Sequence, residues 1–477
     1  MLIRRSARAA LAAILLFTGI AAASPFDPPV SYPMTYWVHG LSIGDVNGDG
    51  LADVAAAQGS LLLLLGNGSG FDGPQTIAHG SGGARYAAIE DVDGDGDRDL
   101  VVLIREGDAM IVVLRNQGDG SFGTPEPYGL PDVTHRMRIA DVDRDGDPDA
   151  LVMSGFIDGG ILTVLRNDGS GAFTGVDAYV VATAGFFYTA DIAVADVNLD
   201  GYPDVAGCVI GDVFTVMNDG TGGFLPRVVH DLGLQGGPKA VLLHDADRDG
   251  HPDLLVADTC GPEGDQLRVG LNDGDGGFTL AEVEPMTGVC HSVTNPTGLA
   301  VGYLDDDTTI DVAYASRSGD AVGVVRGLGD GTFEPSEMLP TDPDTLVVAV
   351  GDVNGDGSHD VVSGNGVTTA PDTVVVTTNA QCAPLLDQTL RAAVDGSGFF
   401  WSTSLPYLGV RGDFVTSQDI GAFVVDRQFS ADASALLDAE TPLAGSGFWY
   451  LVRPDCVTAS WTSAGPSELP GRDSFLP

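Results

Sequence analysis

Asp45-Val46-Asn47-Gly48-Asp49-Gly50-Leu51-Ala52-Asp53 is the stretch on which the reading of this chain turns. Its pattern, Asp-x-(Asp/Asn)-x-Asp-Gly-x-x-Asp, returns at Asp91, Asp141, Asp196, Asp245 and Asp352, and in damaged form from Tyr303 to Asp311. Successive starts lie 46, 50, 55, 49, 58 and 49 residues apart. Self-similarity at a period near fifty residues marks a repeat architecture and settles the fold before any local detail does.

The same nine residues carry the clearest chemistry. Calcium takes about six to eight oxygens, supplied by alternate side chains of a tight loop and a backbone carbonyl. In the first loop Asp45, Asn47, Asp49 and Asp53 offer side chains and Leu51 its carbonyl. The corresponding sets are Asp91, Asp93, Asp95, Asp97 and Asp99; Asp141, Asp143, Asp145, Asp147 and Asp149; and Asp196, Asn198, Asp200, Tyr202 and Asp204. Two more are Asp245, Asp247, Asp249, His251 and Asp253, and Asp352, Asn354, Asp356, Ser358 and Asp360. Gly50, Gly96, Gly146, Gly201, Gly250 and Gly357 permit the sharp bend at the sixth position. No Glu stands at position twelve and no helix flanks the loops, which excludes EF-hands, and magnesium's rigid octahedron fits poorly. The expectation is about six calcium ions in a structural role. The loop from Tyr303 to Asp311 has lost its first ligand and, at Thr308, its glycine, so it should be empty or weak. His251 and His359 fall inside acidic loops, and their side chains are expected in solvent.

Apolar runs flank each loop: Leu100 to Ile104 and Met110 to Leu114, for example, are β-branched or aliphatic and bounded by Gly, Asp and Asn. They read as buried strands. A second punctuation follows at Asn116 to Phe122, Asn167 to Phe173, Asn218 to Phe224, Asn272 to Phe278 and Gly327 to Phe333, with a shorter form at Asn67 to Phe71. Clustered Gly, Asn and Asp suit tight hairpins. Four short strands per repeat over seven repeats predict an all-β, seven-bladed β-propeller. The seventh repeat ends at Asn379 without its glycine hairpin, and Pro25 to Tyr32 resembles Ser121 to Tyr128. The N-terminal strand should therefore complete the last blade and close the ring, leaving no exposed sheet edge there.

The acidic loop and the glycine–phenylalanine pair, spread from about Pro25 to Gln381, resemble the FG-GAP/VCBS repeat family, which includes the propeller of the integrin alpha chain. The resemblance implies calcium in the loop between the first two strands of individual blades.

Residues 1–23 read as a secretory signal: Arg4, Arg5 and Arg8, then an apolar core from Leu11 to Ile20, then a small-residue cleavage site. That core is too short to span a bilayer. Export to the extracellular space or periplasm, with no membrane insertion, is the expectation. Residues 24–382 would form the propeller and 383–477 a small β-sandwich-like module similar to fibronectin type III, with Trp401 on an early strand and Tyr450 on a late one. Net charge is −45, and 21 of the 67 acidic residues occupy side-chain ligand positions. Such charge argues against nucleic acid as a partner.

Five cysteines suit an oxidising compartment without making a disulfide scaffold. Cys208 reads as a buried free thiol, and Cys260 with Cys290 and Cys382 with Cys456 are candidate pairs. In this strand order the acidic loops and glycine hairpins share one face. The opposite face collects Trp37, Tyr86, His135, Phe156, Phe187 and Tyr188 as a candidate ligand surface. No nucleophile elbow, zinc helix or phosphate loop appears, and no catalytic residue is assigned. Three functions remain open: a monomeric recognition or adhesion module for an extracellular protein or glycan, a secreted polysaccharide lyase or hydrolase, and a structural spacer in a surface layer.

Overall fold

The second strand of every repeat opens on the last aspartate of the acidic pattern, and its first six residues are all buried. These strands are Asp53–Gln58, Asp99–Ile104, Asp149–Ser154, Asp204–Val209, Asp253–Gly261, Asp311–Ser316 and Asp360–Asn365. A strand apolar on both faces needs a sheet on each side of it. A computed structural model of the chain supplies those neighbours. It describes residues 26–379 apart from 106–108, 131–133, 155–159, 183–190, 210, 288–297, 306 and 367–371, and beyond them only the backbone of strand segments between 391 and 454.

Among the described residues seven four-stranded antiparallel sheets form. Blade 1 is Gly40–Gly44, Asp53–Gln58, Ser60–Leu64 and Gln75–Ile77, from the centre outward. Blades 2 to 6 repeat that order, opening on Ala84–Glu90, Thr134–Ala140, Asp191–Ala195, Gly237–His244 and Leu299–Gly302. Blade 7 takes Thr345–Gly351, Asp360–Asn365 and Thr373–Thr377 and receives Val30–Pro33 as its outer strand. There Val30 pairs with Val376 and Tyr32 with Val374. Phe26 bridges Asn379 just as Phe122 bridges Asn116 and Phe224 bridges Asn218. The predicted closure by the N-terminal strand is the observed one.

First strands pack against first strands around the centre, and that of blade 7 against that of blade 1. Seven apolar clusters result, one at each blade interface. Val142, Leu151 and Met153 of blade 3 meet Val205, Phe214 and Val216 of blade 4, and Val362, Val374 and Val376 of blade 7 meet Val54, Leu62 and Leu64 of blade 1. Each fully buried aliphatic side chain contributes about 1.5–3 kcal/mol. At the rim, Tyr32 meets Phe71 edge-on at 5.7 Å, Tyr128 meets Phe173 at 5.5 Å and Tyr179 meets Phe224 at 5.4 Å. Each pair joins the outer strand of one blade to the hairpin phenylalanine of the next.

The expected signal segment, 1–23, lies outside the described residues. So does the expected C-terminal module, 383–477, apart from six strand segments given as backbone alone. Among the described residues no helix is long and apolar enough to cross a membrane.

Candidate metal centres and the opposite face

Each acidic loop joins the first two strands of a blade. In loop 1, Asp45 Oδ1 accepts the Gly48 N–H at 2.8 Å and Oδ2 accepts the Gly50 N–H at 2.9 Å, while Asp49 accepts the Leu51 N–H at 2.8 Å. The chain is thereby wound around its own carboxylates. Gly50, Gly96, Gly146, Gly201, Gly250 and Gly357 all hold φ between 85° and 96°, a region costly for any side chain. Position four is also left-handed, and Arg144, Leu199 and Arg248 adopt φ of 63°, 55° and 65° there. Thr308 stays out of that region, so loop 6 follows another path.

The donor set fits a hard cation. Carboxylate oxygens of Asp91, Asp93 and Asp99 lie within 4.8 Å of one another, as do those of Asp141, Asp143 and Asp145 and of Asp245, Asp247 and Asp253. Buried oxygens of Asp93 and Asp245 have no hydrogen-bond partner within the chain, which is the state of a ligand atom awaiting an ion. Loops 1, 4 and 7 carry Asn at position three and so gather fewer carboxylates. There Asn47, Asn198 and Asn354 each donate to the aspartate two residues on, at 3.0 Å. In loop 6 the chain supplies a cation itself: Arg326 stands 3.7 Å from Asp305, and Arg248 donates to Thr308. A guanidinium also reaches Asp93 from Arg115 at 2.7 Å, and Asp149 from Arg166 at 3.0 Å.

The ninth-position aspartate has a second task that sequence reading missed. Asp204 Oδ2 accepts the Val197 N–H at 3.0 Å and Oδ1 accepts the Asn218 N–H at 2.7 Å. Asp53, Asp99, Asp253, Asp311 and Asp360 repeat both bonds, latching the acidic loop to the glycine hairpin of its own blade. The hairpin asparagine then reaches the previous blade. Asn218 Nδ2 donates to the Val142 carbonyl at 2.8 Å, Asn116 to Val46 at 2.6 Å, Asn167 to Val92 at 2.7 Å, Asn272 to Val197 at 2.8 Å and Asn379 to Leu304 at 3.0 Å. These bonds also establish that acidic loops and glycine hairpins share one face.

Burial pushes Asp99, Asp149, Asp204 and Asp253 up to about 6 and Asp311 and Asp360 up to about 7, neighbouring carboxylates adding to the effect and backbone N–H donors opposing it. A folded-state value above the unfolded one means that the native protein binds more protons. The resulting stability is complete below about pH 4 and is lost as pH rises through about 7. In calcium-free buffer, urea denaturation should thus give a larger unfolding free energy at pH 5 than at pH 7.5. A flat or opposite trend would refute this assignment.

His359 is not solvated as expected: its Nδ1 accepts the Tyr303 N–H at 3.1 Å and its ring lies 5.7 Å from that tyrosine. His251 is half-buried against Gly274. Cys208 is a buried free thiol, and burial pushes it up to about 12. Cys260 is in a disulfide; Cys290, Cys382 and Cys456 lie outside the described residues.

On the opposite face Phe156, Phe187 and Tyr188 also lie outside the described residues. Tyr86 sits in the first strand of blade 2, half-buried against the apolar cluster between blades 2 and 3, with Arg138 5.9 Å from its ring centre. His135 belongs to the first strand of blade 3. Trp37 lines a cavity of about 550 Å³ with Tyr36, His39, Gln58, Gly59, Gly82 and Gly83. Tyr36, which sequence reading passed over, is 65% exposed. Its only signal was its place beside Trp37 in the connection from the closing strand to blade 1. Buried Gln58 fixes that connection: its Oε1 accepts the N–H groups of Thr35 and Tyr36 at 3.1 and 3.0 Å, and its Nε2 donates to Thr35 Oγ1 at 2.9 Å.

Sequence comparison finds FG-GAP-like repeats at residues 45–102, 91–152 and 303–363. The chain is a seven-bladed β-propeller that carries FG-GAP-like repeats in those stretches. No curated protein matches it in sequence. Among solved structures it is similar to BBS1N in complex with ARL6DN, at 12% identity and a TM-score of 0.50, over 76% of this chain and 99% of that one. A lectin of Agrocybe aegerita, solved for its specific recognition of non-reducing terminal N-acetylglucosamine, gives 21% identity and a TM-score of 0.45 over 65% of this chain and 81% of that one. At these identities the likeness is one of fold.

Proposed function

We propose that this chain is an exported, calcium-stabilised propeller that binds an extracellular protein or glycan on the face away from its acidic loops. The observation that carries the reading is the division of labour between the two faces. One is given over to aspartates that match calcium's needs. The other presents a cavity with an exposed tyrosine on a segment held by Gln58. A concave site with aromatic walls and a few fixed polar groups is the common form of a ligand site. Equilibrium dialysis against millimolar calcium, with elemental analysis corrected for the bath, should return about six ions per chain. A glycan array and a protein-capture screen, both with calcium present, should return a ligand whose binding a surface variant, Tyr36→Ala, weakens. Turnover of a polysaccharide in a parallel degradation screen would replace the binding reading with an enzymatic one.

A further inference from the structure

The first strands of the blades run from the cavity face towards the acidic loops, so residues near their starts surround the mouth of the central channel. Few bases are available in a chain of net charge −45, yet several gather here. Arg85 is the second residue of Ala84–Glu90, Arg136 the third of Thr134–Ala140 and Lys239 the third of Gly237–His244. Arg105 follows directly on Asp99–Ile104, and its N–H donates to the carbonyl of the cavity residue Gly83 at 3.3 Å. Among the described residues Arg136 and Arg138 share a single carboxylate, Asp191, at 3.4 and 3.3 Å. His39, inside the cavity, is held down to about 3, first by burial and then by Arg85, Arg136 and Arg105. Its imidazole is therefore neutral, one nitrogen donating and the other accepting.

The chemistry of the mouth is accordingly an aromatic platform, Tyr36 and Trp37, a neutral imidazole and a bank of guanidinium groups. A ring with a C–H face suits the first, hydroxyls suit the second and a carboxylate suits the third. We propose that the cavity at Tyr36, Trp37 and His39 is a binding site for a carboxylate-bearing saccharide, its sugar ring against the aromatic pair and its carboxylate towards Arg85, Arg105 and Arg136. The proposal rests on the binding-module reading and names its ligand class. Its size, about 550 Å³, falls in the ~300–1,000 Å³ range of small-ligand sites. The acidic remainder of the surface repels such a ligand elsewhere and so confines it to this mouth.

The test is calorimetric titration of the full chain in calcium with trimers of galacturonate, glucuronate and mannuronate, with their carboxyl-reduced counterparts, and with pentaglutamate. At least one acidic trimer should bind, its reduced form about tenfold or more weaker because a charged partner is lost. Tyr36→Ala, at an exposed position, and Arg85→Gln should each weaken the acidic trimer about tenfold, and Tyr36→Ala should leave the unfolding temperature unchanged. The proposal is overturned if no acidic trimer binds, if reduced and acidic forms bind alike, if pentaglutamate binds as tightly, or if both variants keep full affinity. A protein or neutral-glycan ligand found by the wider screens would in each of those cases leave the binding-module reading standing.

Discussion

Stripping calcium with excess EGTA should lower the unfolding temperature by about 15 °C relative to buffer holding calcium tenfold above its dissociation constant. Each site bound only in the folded state then adds about 1.4 kcal/mol, and six add about 8 kcal/mol, which in a domain of this size moves the midpoint about 2 °C per kcal/mol. Extracellular calcium modules bind at ~10⁻⁴–10⁻³ M, so millimolar calcium is the relevant range. The electrostatic reason is local. Asp91, Asp93 and Asp99 hold oxygens within 4.8 Å of one another, and like charges that close repel strongly unless a cation lies among them. Differential scanning calorimetry with EGTA, calcium and magnesium decides the matter. Magnesium should restore little, because it holds its water and demands an octahedron. A midpoint that moves by less than about 2 °C on chelation, where six sites should add several times that, would remove calcium from the account of this fold.

Much of the ring was legible in the sequence because its determinants are local and repeated. The glycine at position six, the alternating aspartates and the apolar run after Asp99 each need only neighbours a few residues away. Closure was legible too, since Pro25-Phe26 repeats the form of Ser121-Phe122 and only blade 7 lacked a partner for it. What could not be read depends on contacts between repeats. Asn116 and Val46 are 70 residues apart in sequence, and Asn218 and Val142 are 76 apart, yet each pair shares a hydrogen bond. The asparagine looked like a turn former, which it also is: Asn218 Oδ1 accepts the Gly220 N–H at 3.0 Å. Trp37 drew attention on the candidate ligand face by residue type alone, whereas Tyr36 carries the exposure. Their difference arises from Gln58 in the next hairpin, which holds the backbone of their connection, and from Gly366, whose backbone lies against the Trp37 ring. Asp93 and Asp143, at position three of loops 2 and 3, read as calcium ligands, but that Arg115 and Arg166, at the third strands of the same blades, also reach them was not legible locally.

Asn218→Ala should cost about 3–5 kcal/mol, and Asp204→Asn about 2–4 kcal/mol, whether or not calcium is present. Asn218 is buried and makes four bonds through its side chain: to the carbonyls of Val142 and Pro203, and from the N–H groups of Gly220 and Gly222. Alanine leaves two carbonyls and two amides without partners, and an unpaired buried group costs more than the bond it replaces. Asp204→Asn keeps the shape but turns an NH₂ towards either the Val197 or the Asn218 N–H, so one bond becomes a clash of donors. The chain itself contains two natural comparisons, Gly66 and Gly327, at the same hairpin position. In blade 6 the Ala246 carbonyl is met instead by the Gly331 N–H at 3.2 Å, so the need for a donor persists where asparagine is gone. Urea denaturation of Asn218→Ala, Asp204→Asn and the exposed control Val229→Ala, each in EGTA and in calcium, separates latch from ligand. A loss confined to the calcium samples would make Asp204 a ligand and nothing more. Equal losses for Asn218→Ala in both buffers would establish that the blades are clasped by hydrogen bonds independent of any bound ion.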